Sequence, residues 1–583
     1  MLQRHIRDLG LDGFVVPRSD EHQGEYVGPH SERLAWLTGF TGSAGTAVVL
    51  QDKAAIFIDG RYTLQAREQT DTKTFEQCDL VAQPPADWIA RNLQSGHKLG
   101  FDPWLHTVNG ARRLEIACKK AGAKLVAVDA NAVDAVWSGR PAAPHSDVFS
   151  QPTQYAGVAA GAKTNILRDA LAEAGADAAV LTVPESIAWA FNIRGKDVPH
   201  TPVMLAFAIL RRTGEAELFI DKDRVQEDAL RQLDGLAVFH APAEFPGRLK
   251  ALSGLKVLID PAWCAKAIET ALKDGGAEVV TGSDPCLLPK ARKNPVEQEG
   301  ARLAHIRDGA AMVRFLRWLD ENVGSGELTE IDAAVELESC RRATGELQEI
   351  SFDSISAAGP NAALPHYRVT EGSNQKLETG NVYLIDSGGQ YLDGTTDITR
   401  TVAIGAPSDE MRDRYTRVLK GHIAIARARF PKGTTGAQLD TLARLALWEA
   451  GVDFAHGTGH GVGSYLSVHE GPQRIAKTGM VPLEPGMIIS NEPGYYKPGE
   501  FGIRIENLVI VQPSAKRAGE ECEMYELETI TFCPIDTSLV DVSLLSVEER
   551  TWFNDYHADV QQKLSASVRK EEVNWLKSMT IPI

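Results

Sequence analysis

Residues 381–405 read NVYLIDSGGQYLDGTTDITRTVAIG, and this stretch decides the fold of the region around it. The apolar run at residues 382–385 ends in Asp386, two glycines follow, and Asp397 comes eleven positions after the first aspartate. Apolar runs separated by a glycine turn are typical of two strands in a hairpin. We therefore predict a hairpin with one carboxylate on either side of a Gly-Gly turn.

Two further segments place a histidine and a glutamate in similar surroundings. Residues 456–463, HGTGHGVG, hold His460 four positions after His456. Residues 486–496, GMIISNEPGYY, run from an apolar stretch into Glu492 and then break at a Pro-Gly pair. Each side chain alone has an ordinary interpretation, because glycine-flanked histidines are common in loops and strand-end carboxylates often form turns.

The fourth segment, residues 501–511, reads FGIRIENLVIV and alternates as a strand does. Arg504 and Glu506 are two apart, so they share one face of that strand. Buried carboxylates are costly unless they are paired, neutralised or metal-bound, and two divalent cations would balance four of them. The predicted ligand set is Asp386, Asp397, His460, Glu492 and Glu506.

The types of ligand in this set indicate which metal it would hold. Oxygen-rich sites with a single imidazole suit hard cations such as Mn²⁺ better than a structural zinc, although Co²⁺ or Zn²⁺ also bind carboxylate-rich sites. Two metals roughly 3.5–4 Å apart can share a water and convert it to hydroxide at neutral pH. The sequence therefore predicts a hydrolase with two divalent metal ions, Mn²⁺ first among them, and no other cofactor.

These segments resemble the pita-bread metallopeptidases of peptidase family M24, and within them the long, cytosolic type of aminopeptidase P. The resemblance rests on LIDSGGQYLDGTTDITRT, HGTGHGVG, VHEGP at residues 468–472, NEPGYY and FGIRIEN. It extends over nearly the whole chain, and every metal-ligand position of the family is filled. The resemblance implies removal of an N-terminal residue that precedes proline, a homodimer, and a cytoplasmic location.

The resemblance also implies individual roles for the metal ligands. Asp386 would bind one metal alone, Asp397 and Glu506 would bridge both, and His460 and Glu492 would complete the second site. Glu492 would also act as general base or proton shuttle, because a carboxylate within one hydrogen bond of a metal-bound water can exchange its proton.

Four residues beyond the ligands match functional positions of the family. His366 in LPHYRV, His456 and His469 would line the substrate site and stabilise the tetrahedral intermediate or the leaving proline. Arg504 would hold a ligand carboxylate and support the site. Outside this context, a loop histidine is more often merely exposed, and an arginine two residues from a glutamate would form a surface ion pair of little energetic value.

Two other functions remain open at the level of sequence. Prolidases cleave Xaa-Pro dipeptides with the same ligand set. Some pita-bread proteins are non-catalytic histone chaperones or nucleic-acid binders, but those usually lose ligands. A single assay of a Xaa-Pro dipeptide against a longer peptide would separate the first alternative.

Composition sets outer limits on the partners of the protein. The chain has 583 residues, a net charge of −17 and a pI of about 5.4, which argues against non-specific binding to nucleic acid or anionic membranes. Seven scattered cysteines without CxxC spacing indicate reduced thiols in a cytoplasm. The first residues, MLQRHIRDLGLDGF, contain no apolar signal-peptide core, and no apolar run reaches the length of a membrane span.

The region before the metal segments contains an internal repeat, which predicts two copies of one α/β domain. Four pairs of segments match: residues 6–12 with 167–177, 32–38 with 186–192, 56–59 with 218–221, and 100–104 with 259–263. We predict an α/β (α+β) protein with two creatinase-like N-terminal domains, 1–153 and 154–293, and a pita-bread catalytic domain, 294–583. Residues 290–297, KARKNPVE, are predicted to be a basic linker, and residues 546–564 a helix capped by Ser546 and Glu549.

Overall fold

The structure is a computed structural model that describes all 583 residues except for the side chains of Arg61 and Leu64. The chain forms two compact units: the first comprises residues 1–151 and 158–287, and the second residues 152–157 and 288–583. Among the described residues, none of the helices combines the length and apolarity that crossing a bilayer requires.

Residues 1–127 of the first unit form a six-stranded sheet with the strand order β4-β3-β2-β1-β5-β6. The strands β1–β2–β3 pair antiparallel, whereas the β3–β4, β1–β5 and β5–β6 pairs are parallel. The elements are α1 (Leu2–Asp8), β1 (Gly13–Pro17), α2 (Arg33–Thr38), β2 (Gly45–Leu50), β3 (Ala54–Ile58), α3 (Thr63–Gln69), β4 (Phe75–Asp79), α4 (Pro85–Asn92), β5 (Lys98–Phe101), α5 (Val108–Lys120) and β6 (Lys124–Ala127).

Residues 149–281 form a second six-stranded sheet, with the order β12-β11-β10-β8-β13-β14. The elements are β7 (Phe149–Ser150), α6 (Thr153–Ala156), α7 (Ala160–Glu173), β8 (Ala178–Leu181), α8 (Pro184–Phe191), β9 (Ile193–Arg194), β10 (Phe207–Arg211), β11 (Ala216–Phe219), α9 (Glu227–Leu233), β12 (Ala237–His240), α10 (Phe245–Lys250), β13 (Lys256–Ile259), α11 (Lys266–Asp274) and β14 (Glu278–Thr281). Of these, α6 belongs to the second unit.

The two sheets have the same topology. Counted in chain order without the short β7–β9 pair, the six strands of each sheet are arranged 4-3-2-1-5-6, with the same parallel and antiparallel neighbours. The matched segments lie on equivalent elements, since residues 56–59 span the end of β3 as 218–221 span the end of β11. Likewise, residues 100–104 span the end of β5 as 259–263 span the end of β13. The predicted duplication is therefore present in the fold, while the exact boundaries at 153 and 293 stay a prediction.

The second unit contains the metal segments. Its two main sheets have the orders β16-β17-β20 and β21-β28-β27-β24-β22-β23, and the smaller ones are β15-β18-β19 and β25-β26. The elements are α12 (Leu287–Ala291), α13 (Pro295–Asn322), α14 (Glu330–Arg342), β15 (Glu349–Ile350), β16 (Ile355–Ala358), β17 (Asn381–Ser387), β18 (Gly389–Tyr391), β19 (Gly394–Thr395), β20 (Ile398–Ile404), α15 (Asp409–Ala426), β21 (Arg429–Pro431), α16 (Gly436–Trp448), β22 (Gly459–Gly461), β23 (Glu470–Ile475), β24 (Ile488–Asn491), β25 (Gly494–Lys497), β26 (Phe501–Arg504), β27 (Asn507–Pro513), β28 (Met524–Thr529), α17 (Val547–Leu564) and α18 (Lys570–Met579).

The hairpin predicted at residues 381–405 exists, but its turn is more elaborate than two glycines. Strands β17 and β20 pair antiparallel, from Asn381 opposite Ile404 to Ser387 opposite Ile398. Between them the chain makes a second, smaller hairpin, β18–β19, which joins β15 in a separate sheet. Gly388 marks the departure, because a Cβ there would lie 1.9 Å from the carbonyl oxygen of Thr396.

The single strand predicted at residues 501–511 is wrong, since the chain forms two strands in different sheets. β26 pairs with β25, and β27 pairs with β24 and β28. The interruption falls at residues 505 and 506, so Glu506 lies at the junction. Every residue from 501 to 511 is buried, and the apparent alternation therefore does not reflect one solvent-facing side.

The predicted basic linker at residues 290–297 is also wrong. Lys290 and Lys293 are 3% exposed and both form ion pairs with Glu470. Asn294 then caps α13 and Pro295 occupies its first turn, as a helix start favours. The two lysines are paired within the second unit, which explains how their charged side chains can be buried.

Candidate metal centre

The β17–β20 hairpin brings the two aspartates to the same end of one sheet. Asp386 is the penultimate residue of β17 and pairs with Thr399 of β20, while Asp397 immediately precedes β20. Their exposed fractions are 7% and 3%, so both carboxylates are buried. Asp397, Thr399 and Thr401 share one face, because side chains alternate along a strand.

The larger sheet supplies the histidine and a glutamate. His460 is the central residue of β22, and Glu492 follows β24, the strand with which β22 pairs. The glycines of HGTGHG are required by this close pairing, because a Cβ on Gly459 would lie 1.8 Å from the carbonyl oxygen of Ser490, and one on Gly461 would lie 2.3 Å from that of Glu470. They allow His460 to lie on β22, which pairs closely with β23 on one side and β24 on the other.

The structure brings these side chains together with Glu506. Ligand atoms of Asp397, His460 and Glu506 all lie within 4.8 Å of one another. His460 Nε2 is 3.4 Å from Asp397 Oδ2 and 3.5 Å from Glu492 Oε1. Asp386 is linked to the group through Arg504, whose Nη2 donates to Asp386 Oδ2 at 2.6 Å. All five predicted ligand positions thus belong to one cluster.

The cluster has more negative than positive charge, and this imbalance shifts its proton affinities. Burial raises the pKa of Asp386 to about 7, even though Arg504 opposes the shift. Burial also raises the pKa of Glu492 and, more strongly, that of Glu506, where the neighbouring carboxylates add to the effect. For His460, burial lowers the pKa, but Asp397 and Glu492 outweigh it and raise the pKa to about 9. Carboxylates held so close favour any added cation.

Three carboxylate oxygens in the cluster fit divalent metals. Asp386 Oδ1, Asp397 Oδ1 and Glu506 Oε1 are buried and have no hydrogen-bond partner among the described residues. A buried acceptor without a partner is costly and uncommon. The second oxygen of Glu506 accepts from Thr399 Oγ1 at 2.8 Å, which orients the carboxylate. Orphaned hard oxygens beside one imidazole are the donor set that Mn²⁺-like cations use.

The other predicted histidines differ in how they relate to this cluster: His469 contacts it directly and His456 through Tyr496 and Arg504. His469 packs edge-on against His460, with ring centroids 4.3 Å apart. His456 contacts the carbonyl of Gly457 through Nδ1 (2.7 Å) and the hydroxyl of Tyr496 through Nε2 (2.8 Å). His366 is half-buried in the turn after the 3₁₀ helix Gly359–Ala363, which packs against β26.

Two contributors to the cluster were not assigned from the sequence. The hydroxyl of Tyr496 accepts from Arg504 Nη1 at 2.6 Å and donates to His456, whose Nδ1–H is engaged by a carbonyl, so it connects two predicted residues. Thr399 connects Arg504 to Glu506, since it accepts from Arg504 Nε at 3.1 Å and donates to Glu506. The signal for Thr399 was available, because it is two residues after Asp397 on a strand.

Comparison with known proteins places this geometry in a family. Residues 299–513 match the model of metallopeptidase family M24, and residues 523–583 match the model of the C-terminal region of that family. Residues 1–136 and 139–297 match two models of the creatinase/prolidase N-terminal domain. A probable Xaa-Pro aminopeptidase P of Coccidioides posadasii is 40% identical over 604 residues, which cover 100% of this chain and 92% of the relative.

The chain belongs to the Xaa-Pro aminopeptidase P family. Another similar protein, an X-prolyl aminopeptidase from Caenorhabditis elegans described as a cytosolic enzyme with a di-nuclear active site, superposes with a TM-score of 0.94 and 35% identity over 98% of this chain and 95% of that one. A Xaa-Pro dipeptidase from Bacillus anthracis is 30% identical with a TM-score of 0.53, but covers only 65% of this chain and 99% of its own. The family membership confirms the predicted pita-bread catalytic domain behind two creatinase-like domains.

Proposed function

We propose that this protein is a metal-dependent aminopeptidase that hydrolyses the bond between an N-terminal residue and a following proline. The observation that carries the proposal is the 40% identity over the full chain to a probable Xaa-Pro aminopeptidase P. It is supported by the clustering of Asp397, His460 and Glu506, with Glu492 beside His460 and Asp386 bonded to Arg504. The Xaa-Pro bond is a tertiary amide without an N–H, so a peptidase that accepts it cannot depend on that donor.

The proposed ligands of two divalent metal ions are the five clustered residues. Asp386 would hold one metal, His460 and Glu492 the other, and Asp397 and Glu506 both. The three orphaned carboxylate oxygens support this assignment. Two such ions polarise a carbonyl and supply hydroxide at neutral pH. We propose Mn²⁺, because the donor set is oxygen-rich with one imidazole.

The protein's own groups would orient the substrate and move its protons. Glu492 is proposed as the general base, because its carboxylate lies inside the cluster, with Oε1 3.5 Å from Nε2 of His460. His469, edge-on to His460, and His366 are proposed to donate toward the developing oxyanion or the leaving proline nitrogen. His456 and Arg504 share the Tyr496 hydroxyl, which would fix both relative to the substrate.

We also propose that the protein is a cytoplasmic homodimer, with α16 at the interface. Along α16, Leu442, Leu445 and Trp448 are 38%, 52% and 42% exposed. Residues three apart lie on one side of a helix, so these side chains form an apolar stripe. The substitution Leu445→Arg should shift the mass measured by light scattering from two chains to one, and an unchanged mass would exclude this surface.

The domain limits 1–153, 154–293 and 294–583 are part of the same proposal.

One assay tests the enzymatic proposal. The protein is stripped with chelator, reloaded with Mn²⁺, and offered a Xaa-Pro-Xaa tripeptide and a Xaa-Pro dipeptide. We expect release of the first residue from the tripeptide only after metal is restored. Cleavage of the dipeptide alone would make the protein a prolidase. Absence of both cleavages despite bound metal would favour a binding module.

A further inference from the structure

The junction between β26 and β27 leaves the main chain of Glu506 outside both strand ladders. Its N–H donates to the carbonyl of Thr399 at 3.1 Å. Its carbonyl accepts from Nη1 of Arg400 at 2.6 Å. The side chain that follows Thr399 on β20 therefore holds the main chain of a proposed bridging ligand.

Arg400 is fully buried, and its hydrogen-bond partners among the described residues are all uncharged. Besides Glu506, its guanidinium donates to the carbonyls of Thr399 (2.9 Å), Cys533 (2.9 Å) and Pro534 (3.0 Å), to Asn507 Oδ1 (2.9 Å) and to the hydroxyl of Tyr556 (2.8 Å). A buried cation is ordinarily paired with a carboxylate. Here the guanidinium lies beneath an anionic cluster and is held by neutral groups instead.

A second branch of the network reaches the other proposed glutamate ligand. Asn491 precedes Glu492, Asn507 follows Glu506, and the two asparagines are direct partners in the β24–β27 register. His422 of α15 lies between them, with Nδ1 3.1 Å from the carbonyl of Asn491 and Nε2 3.2 Å from Nδ2 of Asn507.

The directions of these hydrogen bonds are consistent along the whole branch. Because a carbonyl only accepts, Nδ1 of His422 carries its proton, and Nε2 must accept from the Asn507 amide. The Asn507 oxygen is then free to accept from Arg400, as observed. Burial, with Arg400 nearby, lowers the pKa of His422 to about 3, so the ring is neutral. Asn491 Nδ2 closes the branch by donating to the carbonyl of His422 at 2.9 Å.

The network extends to helix α17. The Tyr556 hydroxyl receives the Arg400 hydrogen bond and donates to the carbonyl of Cys533 at 2.8 Å. The ring of Tyr556 stacks on Trp552, with 5.3 Å between ring centroids. The packing of the ring and the hydrogen bond to the carbonyl hold the Tyr556 hydroxyl in place, so that it can orient the guanidinium of Arg400.

We propose that Tyr556, Arg400, Asn507 and His422 form a positioning network that sets the carboxylates of Glu506 and Glu492 for metal binding, and that α17 is thereby part of the metal centre. The inference rests on the ligand set proposed above. None of these four residues is a metal ligand; they act through the main chain next to two ligands. Groups behind metal ligands commonly change metal affinity by about 10- to 100-fold when removed.

The test measures the Mn²⁺ dissociation constant of the full chain by competition with a fluorescent chelator. Tyr556→Phe removes one hydroxyl and should raise the dissociation constant about tenfold, and Arg400→Lys should raise it about 100-fold. The matched control is Tyr383→Phe, since Tyr383 is also fully buried in the second unit but its hydroxyl bonds to Ser356 at 2.6 Å. This control should keep the wild-type dissociation constant.

The comparison separates a positioning role from a purely structural one. Tyr556→Phe and Tyr383→Phe should lower the urea midpoint of the metal-free protein by similar amounts, but only the first should weaken metal binding. A wild-type dissociation constant in Tyr556→Phe would overturn the network. If Arg400→Lys fails to fold, the dissociation constant of Tyr556→Phe still tests the proposed network. Glu506→Gln tests the ligand set separately. If this variant binds Mn²⁺ as the wild type does, the ligand assignment is wrong. If it binds Mn²⁺ more weakly while Tyr556→Phe binds as the wild type does, only the network is wrong.

Discussion

Two clusters of charged side chains, one in each compact unit and both built around buried carboxylates, have opposite charge balances. In the first unit, Glu269 of α11 is 1% exposed and lies 2.5 Å from Lys266, 2.7 Å from Lys273 and 3.4 Å from Arg112. Burial raises the pKa of Glu269, but the lysines outweigh it and lower the pKa overall. In the second unit, four carboxylates share Arg504 and His460, and the pKa values of Asp386, Glu492 and Glu506 are raised.

The difference shows what distinguishes a metal centre from an ion-pair cluster. Burial of a carboxylate is common to both, so burial alone carries no functional information. The excess of anions over cations is informative, together with carboxylate oxygens for which the described residues provide no hydrogen-bond donor. The charge of Glu269 is already neutralised by its neighbouring cations, whereas the cluster in the second unit needs added positive charge to be neutralised.

The largest effect is expected at a proposed bridging ligand. Asp397→Asn removes a negative charge that would contact both metals, so metal content and activity should fall together, with activity reduced by about 10³-fold or more. Metal content by elemental analysis and hydrolysis of a Xaa-Pro-Xaa peptide check this. Activity that survives with the metal gone would show that the reaction does not use the dinuclear site.

Arg504 tests the cationic side of the imbalance. Arg504→Lys keeps the charge but loses the fork that bonds Asp386, Tyr496 and Thr399 together. We expect about a 10- to 100-fold loss of kcat/KM, as for other groups behind metal ligands. Steady-state kinetics at saturating Mn²⁺ provide the measurement. A wild-type rate would mean that charge alone, without orientation, is sufficient here.

The sequence predicted more of the site than of its surroundings. Apolar runs that end in acidic residues predicted the β17–β20 hairpin and singled out the proposed ligands, whose side chains cluster in the fold. Short matching segments predicted the duplicated sheets. The small β18–β19 hairpin between β17 and β20 was not predicted, because this hairpin pairs with β15, which lies about 40 residues earlier in the chain. The sequence also did not predict the junction at Glu506. Residues 501–511 are buried on both sides, so the alternation of residue types does not distinguish a buried face from a solvent-facing one.

The pH dependence of metal binding should report the raised proton affinities. In the metal-free protein Asp386, with a pKa of about 7, and His460, with a pKa of about 9, hold protons that a metal must displace. Both are raised above their ordinary values, so protons stabilise the metal-free fold at low pH and this stabilisation is lost as pH rises. Mn²⁺ affinity should rise about tenfold per pH unit for each proton displaced, more steeply below pH 7 than between 7 and 9.

Titrations of Mn²⁺ at pH 6, 7.5 and 8.5 measure this slope. Buried neutral histidines such as His557, whose pKa is lowered by burial to about 3, change the stability of the protein with pH in the opposite direction. They do so equally in metal-loaded and chelator-treated protein. Their contribution therefore cancels when the two forms are compared at each pH. An affinity independent of pH would mean that the cluster is already ionised without metal. The charge imbalance would then have no energetic consequence.

The smallest effect is expected in the balanced cluster. Glu269→Gln leaves three cations that are 32–55% exposed and can turn to solvent, so the free energy of unfolding should fall by only about 1 kcal/mol, with metal content unchanged. Because the pKa of Glu269 is lowered, its stabilisation exists above the ordinary carboxyl pKa of about 4.3 and is lost as pH falls. Urea unfolding of the variant and the wild type should therefore differ at pH 7, and the difference should shrink as the pH falls below the ordinary carboxyl pKa of about 4.3. A loss of Mn²⁺ from this variant would contradict the distinction between the two clusters, since Glu269 has no part in the anionic excess that would hold the metal.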